Sequence, residues 1–263
     1  MRGHSRPGAS RSLSLQQRRP GSHSEPRHGR INRHNDLMRI HVVADEADKD
    51  GGHFHERLLQ LGGELVELDR DDLPAYASIG DTDLIFLLGS DKGAHEPKWK
   101  DVVEAESRFV RGALRAGTPV MGICYGAQLM ARALGGTSWR ADQPELGWQR
   151  VDTIDPILCP EGPWAQMHSD VFAPGPTSNV IGTSWRGPQC FIDEAHGARA
   201  IAWQFHPEVT AETYERWVHE GYYGAVGIDT KDLIRQAHAH AAATRNLAHT
   251  LVDSALTYLR VTP

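Results

Sequence analysis

The nine residues Val120-Met121-Gly122-Ile123-Cys124-Tyr125-Gly126-Ala127-Gln128 constrain the fold more than any other part of the chain. Val120 to Ile123 is a short apolar run of the kind buried in a parallel sheet, and Ala127 to Leu134 opens a helix. Cys124 is therefore expected on a sharp strand-to-helix turn. Gly122 and Gly126 let the backbone bend there and leave space above the thiol. A thiol at a helix N-terminus faces unpaired N–H groups and the positive end of the dipole, which favour an anion. This is a nucleophile elbow built on sulfur, and it calls for an α/β architecture with the cysteine at the carboxyl end of a strand. Alone, a cysteine flanked by two glycines is a weak signal.

The second half of the signal lies at Ala202-Trp203-Gln204-Phe205-His206-Pro207-Glu208. A cysteine nucleophile needs a base, and the base needs a group that orients it. Pro207 biases His206 away from helical dihedrals, so His-Pro-Glu is expected to be extended. Side chains two apart in an extended chain share a face, which puts the Glu208 carboxylate beside the imidazole. The apolar run Ala200 to Phe205 reads as a core strand delivering His206 at its end. A lone histidine after a strand is more often an ordinary turn residue, but the elbow upstream favours the catalytic reading. Gly89, Cys124 and His206 each directly follow an expected strand, which places all three at one edge of the sheet.

Together the Gly-Ile-Cys-Tyr-Gly-Ala-Gln elbow and the Gln-Phe-His-Pro-Glu segment resemble the class I glutamine amidotransferases, over roughly residues 38 to 220. The chain is similar to a stand-alone, GMP-synthase-like glutaminase domain of that family. The resemblance implies a Cys124–His206–Glu208 triad. It also implies an oxyanion loop at Gly89-Ser90, paired with the backbone N–H of Tyr125. Gln128 and the His168-Ser169 segment would hold the amino-acid end of glutamine. Glu145-Leu146-Gly147-Trp148 resembles the strand entry after the elbow helix. Two departures stand out. Gly89-Ser90-Asp91 replaces the usual Gly-Gly-Pro of the oxyanion loop, and Ser169 stands where a glycine is usual; neither removes a backbone donor. The chemistry so implied is attack of the thiolate on the side-chain amide, loss of ammonia and hydrolysis of a thioester, with no metal and no cofactor. A γ-glutamyl amide hydrolase would use the same groups, and an inactive binding or regulatory module is the third reading. The intact Cys-His-Glu set argues against the third. Glutamine or a γ-glutamyl compound is the expected substrate, with a synthetase subunit as the expected acceptor of ammonia. No Gly-Lys dipeptide and no Gly-x-Gly occurs, so no fused synthetase is expected.

Composition agrees with one enzyme domain: 263 residues, 40% of them hydrophobic, are enough for a substantial core. The net charge of −6 is uneven, because residues 1–35 hold eight Arg against one Glu and leave about −13 on the rest. An acidic body argues against nucleic acid as ligand, and no apolar stretch reaches the length of a membrane span. Three cysteines without a Cys-x-x-Cys pair argue against disulfides or zinc, and Cys159 and Cys190 read as bystanders. A free Cys124 thiol fits the reducing cytoplasm.

Residues 1–37 are expected to be a disordered basic tail or a miscalled start before Met38. Residues 38–222 are expected to form the amidotransferase domain, a three-layer α/β fold. Its central sheet is mostly parallel and flanked by helices, flavodoxin-like, with a β-rich C-terminal half. Residues 223–263 are expected to be a helical extension with Asp229 as N-cap, packing back on its own domain or docking another subunit. His238, His240 and His249 in it are given no ligand role, since the first two point in different directions on a helix.

Overall fold

A computed structural model describes residues 37–72, 76, 80–221 and 227–262. The expected basic tail lies, but for residue 37, outside the described residues, as do residues 222–226 at the expected junction. An eight-stranded sheet forms the centre. The strands are β1 (Met38–Ala44), β2 (Gly63–Asp69), β3 (Leu84–Leu87), β4 (Val120–Ile123), β6 (Asp152–Thr153), β8 (Asn179–Ser184), β9 (Gly187–Asp193) and β10 (Ala200–Trp203). Their order is β2-β1-β3-β4-β10-β9-β8-β6. The pairs from β2 to β10 are parallel, and those from β10 to β6 antiparallel. A separate antiparallel pair, β5 (Thr137–Gln149) and β7 (Trp164–Ala173), stands beside this sheet.

Alternation along the parallel strands sorts side chains onto two faces. Ile40, Val42, Phe86, Met121, Ile123, Ile201 and Trp203 pack on one side with Phe54 and Leu58 of α1 (Gly52–Gln60). Val43, Ile85, Leu87, Val120 and Ala202 pack on the other, against α2 (Lys100–Ala116) and α3 (Tyr125–Ala133). Most are fully shielded from water, and each large aliphatic or aromatic side chain contributes about 1.5–3 kcal/mol by that burial. Helix α2 stops because Gly117 takes φ 91°, with the Gly117 and Thr118 N–H groups closing on Leu114 and Ala113.

The C-terminal helix α5 (Thr230–Leu259) is capped by Asp229, whose carboxylate accepts the Asp232 N–H. It packs back onto the chain. Leu251, Val252, Ala255 and Leu256 complete the α1 side of the core, and Leu233 and Ala237 pack with α4 (Ala211–Glu220). Arg57 of α1 makes a two-pronged pair with Asp253, and Glu56 holds Arg245 and His249.

The β-rich half departs in detail from the sequence expectation. Trp148 and Gln149 close the long β5, and β6 is only two residues. Glu145-Leu146-Gly147-Trp148 is thus the second leg of β5, beyond a register shift between Arg140 and Glu145, rather than an entry. The Gln166–Asp170 segment lies within β7.

Candidate active site

Cys124 sits between β4 and α3 with φ 52° and ψ −109°, a conformation rarely adopted by a residue with a side chain. Its own N–H is bonded to the Trp203 carbonyl at 2.8 Å, and its carbonyl accepts the Gln128 N–H at 3.1 Å. The turn is held by tight backbone contact. A Cβ on Gly126 would stand 2.4 Å from the Leu87 carbonyl, and one on Gly122 would stand 2.6 Å from Met130 Sδ. No larger residue fits either place without a shift. The Tyr125 N–H at the start of α3 is one of the groups a helix leaves without an intrahelical partner.

His206 follows β10, and its N–H bonds the Ala165 carbonyl at 2.8 Å, pinning it to the start of β7. Its Nδ1 lies 2.7 Å from Glu208 Oε1, and both side chains are buried. Burial works against a charge on His206, but Glu208 and then Cys124 outweigh it and raise the imidazole well above its ordinary value. The other nitrogen is thereby left for the sulfur side. Gly89 closes the group: a Cβ there would lie 3.3 Å from His206 Cε1 and 3.7 Å from Cys124 Cβ. Thiol, imidazole, carboxylate and the Gly89 turn therefore share one place. The ring of Trp217 stands edge-on to His206, centroids 4.9 Å apart. On the far side, the Glu208 carbonyl accepts the His53 N–H of α1 at 2.7 Å.

The remaining expected contacts divide in two. Gln128 is buried on α3, its Nε2 3.3 Å from both the Asp170 carbonyl and Gln204 Oε1, so it abuts β7 next to Ser169. Ser169 is half-buried beside the register shift of β5. The His168 side chain turns into a buried polar cluster, with Nε2 3.1 Å from Glu145 Oε2 and from Gln166 Oε1. Any contact from that residue to a ligand falls to its backbone. Ser90 follows Gly89, and its hydroxyl donates to Asp45. Cys159 and Cys190 are buried neighbours in the core, and burial followed by the Cys159 contact pushes the Cys190 thiol up.

Three residues to which the sequence assigns no site role shape this region. Arg70, fully buried after β2, donates to the carbonyls of Leu88 at 3.0 Å, Val43 at 3.3 Å and Gly89 at 3.3 Å. Its Nε bonds Glu106 Oε1 at 3.1 Å, and its guanidinium lies 4.5 Å from the Tyr125 ring centre. Glu106 in turn accepts the Tyr125 hydroxyl at 2.7 Å. Burial opposes the charge on Arg70, yet Glu106, Tyr125 and Asp45 outweigh it and raise its value further. One buried cation thus touches both the Gly89 turn and the residue after the thiol. Asp45, the third, is held below the usual carboxylate range: burial opposes this, but Arg70, Lys92 and Ser90 outweigh it.

No described helix is long and apolar enough to cross a membrane. The profile of the family described as Glutamine amidotransferase class-I matches residues 55–222, more than half of the chain. Among curated proteins, GMP synthase [glutamine-hydrolyzing] of Burkholderia mallei is 32% identical over 171 residues, covering 58% of this chain and 30% of that protein. The enzyme of the same name from Aeropyrum pernix is 33% identical over 120 residues, covering 43% of this chain and 23% of its own. The matched part is therefore under a third of those relatives' length. Among solved structures, a glutamine amidotransferase from Thermotoga maritima superposes with a TM-score of 0.70 at 23% identity, covering 83% of this chain and 98% of that one. One from Methylobacillus flagellatus gives 0.70 at 18% identity, covering 87% and 98%. At that level the two structures establish the fold.

Proposed function

This chain belongs to the class I glutamine amidotransferase family, and on that premise we propose that it hydrolyses the side-chain amide of glutamine through a thioester on Cys124. The observation that carries the reading is the meeting of Cys124, His206 and Glu208 beside Gly89. The Cys124 thiolate attacks the amide carbon, and the carbonyl electrons move onto oxygen. The Tyr125 N–H and the Gly89-Ser90 amides receive that oxyanion, a contribution of about 3–4 kcal/mol per donor in enzymes of this type. His206, kept protonated by Glu208 and the thiolate, gives its proton to the departing nitrogen, and ammonia leaves. It then takes a proton from water as that water attacks the thioester and releases glutamate.

Gln128 and the backbone of His168-Ser169 hold the α-amino and α-carboxyl end of the substrate in this reading. The ammonia passes to an acceptor on a synthetase partner. The likeness to part of GMP synthase [glutamine-hydrolyzing] supports glutamine as the source of that ammonia. A reducing compartment such as the cytoplasm keeps the thiol free. The test is ammonia and glutamate release from glutamine by purified protein, alongside a panel of γ-glutamyl amides. Glutamine is expected to be turned over and Cys124→Ala to be inactive; a wild-type rate in the alanine variant would overturn the assignment. Preference for a γ-glutamyl peptide over glutamine would move the reading to γ-glutamyl hydrolysis.

A further inference from the structure

We propose that the acidic loop joining β1 to α1 is a strap that positions the active site, with Asp45 as the residue that fixes the Gly89-Ser90 amides. The proposal rests on the thioester reading above and adds the means by which this chain holds its oxyanion loop. Three carboxylates of one short loop each grip a different piece of the site. Asp45 accepts the Ser90 hydroxyl through one oxygen and Lys92 Nζ through the other at 2.5 Å. The Lys92 N–H donates to Ser90 Oγ at 3.0 Å, so the Gly89–Lys92 turn closes around the Asp45 carboxylate. Asp48 accepts from Trp217 Nε1 at 2.8 Å and Arg216 Nη2 at 2.6 Å, which sets the ring that lies against His206. Asp50 accepts the Gly52 N–H at 2.9 Å and the Thr213 hydroxyl at 3.3 Å, at the point where His53 holds the Glu208 carbonyl.

The loop is itself drawn tight by an Asp45–Asp48 bridge, with the Asp48 N–H 3.0 Å from the Asp45 carbonyl. Oxyanion loop, imidazole wall and triad carboxylate are thus registered to one segment. Ser90 is what makes the Asp45 tie available, and it occupies one of the two positions where this chain departs from Gly-Gly-Pro. Asp45 touches no reacting atom. Its role is to keep the Gly89-Ser90 amides aimed, while Arg70 holds the carbonyls of the same turn from beneath.

The experiment compares wild type with Asp45→Ala and Ser90→Ala in four readouts. These are kcat and KM for glutamine, the rate of Cys124 alkylation by iodoacetamide, amide hydrogen exchange over residues 88–92, and the thermal midpoint. Misaimed amides weaken transition-state binding alone, so kcat is expected to fall about 10- to 100-fold with KM within about threefold. Exchange over 88–92 is expected to rise about tenfold or more. Alkylation, which needs no oxyanion hole, keeps its rate. An unchanged kcat with unchanged exchange would overturn the strap, and so would an alkylation rate that falls in step with kcat, which marks general damage. If wild type fails to turn over glutamine, the functional reading falls, while the exchange comparison still decides whether Asp45 holds the loop.

Discussion

The elbow at Cys124 and the turn at Gly89 face each other across the site, yet different forces hold them. The elbow is set by the shape of the main chain. Gly122 and Gly126 let β4, α3 and the end of β3 approach within distances no side chain tolerates, and Cys124 is left in a strained φ/ψ as a result. The Gly89 turn is set by charge. Arg70 grips its carbonyls, and Asp45 holds both the Ser90 hydroxyl and the Lys92 ammonium. Steric positioning is insensitive to protonation and salt, whereas charged ties depend on their partners staying ionised. Arg70 joins the two systems, because it also lies on the Tyr125 ring and shares Glu106 with that hydroxyl.

The contrast can be broken from either side. Arg70→Ala attacks the charged side at its root and leaves Glu106 buried without its cation. Loss of one partner of a buried pair costs about 3–5 kcal/mol, to be read as a fall in urea midpoint at unchanged slope. A loss below 1 kcal/mol would mean that the carbonyls and Glu106 are satisfied some other way. Gly126→Ala attacks the steric side. Its Cβ at 2.4 Å from Leu87 O must displace backbone, for about 1–3 kcal/mol of stability and a fall in kcat measured against glutamine. A fully active, fully stable alanine variant would show that the elbow tolerates a wider turn.

A smaller effect sharpens the picture at His206. Burial alone would lower its value, so the rise depends first on Glu208 and then on Cys124. In Glu208→Gln the alkaline limb of the kcat/KM profile is expected to move to lower pH, because the imidazole then loses its proton earlier. The stability sign follows: a raised value contributes stability that is complete below the ordinary imidazole range and is lost as pH rises through the raised value. Removing Glu208 should therefore lower stability at neutral pH and move that loss acidward. An unmoved alkaline limb would mean that Glu208 orients the ring without setting its charge.

How much of this was readable in advance tracks the physics that holds each part. The parallel strands were legible because strands buried on both faces are written as plain apolar runs, as in Leu84 to Leu88 and Val120 to Ile123. The elbow and His-Pro-Glu were legible because glycine and proline act through the local backbone. The β5–β7 pair was not, since its segments carry Arg140, Asp142, Pro144, His168 and Asp170, and its ladder is interrupted near Glu145. Arg70, Glu106 and Asp45 were not, because a charge in sequence reads as a solvated one until tertiary packing buries it. One trace was there: Glu106 falls three residues after Val103 and four before Val110, inside the apolar stripe of α2. A carboxylate on a buried stripe needs a partner, and that signal pointed toward a buried cation.

The central claim is that Cys124 carries a glutamyl group during turnover. Rapid acid quench of enzyme mixed with saturating glutamine, followed by peptide mass spectrometry, tests it most directly. One glutamyl group on the peptide containing Cys124, absent from Cys124→Ala, is the result predicted. Glutamate production with Cys124 unmodified at every quench time, and undiminished in the alanine variant, would contradict it.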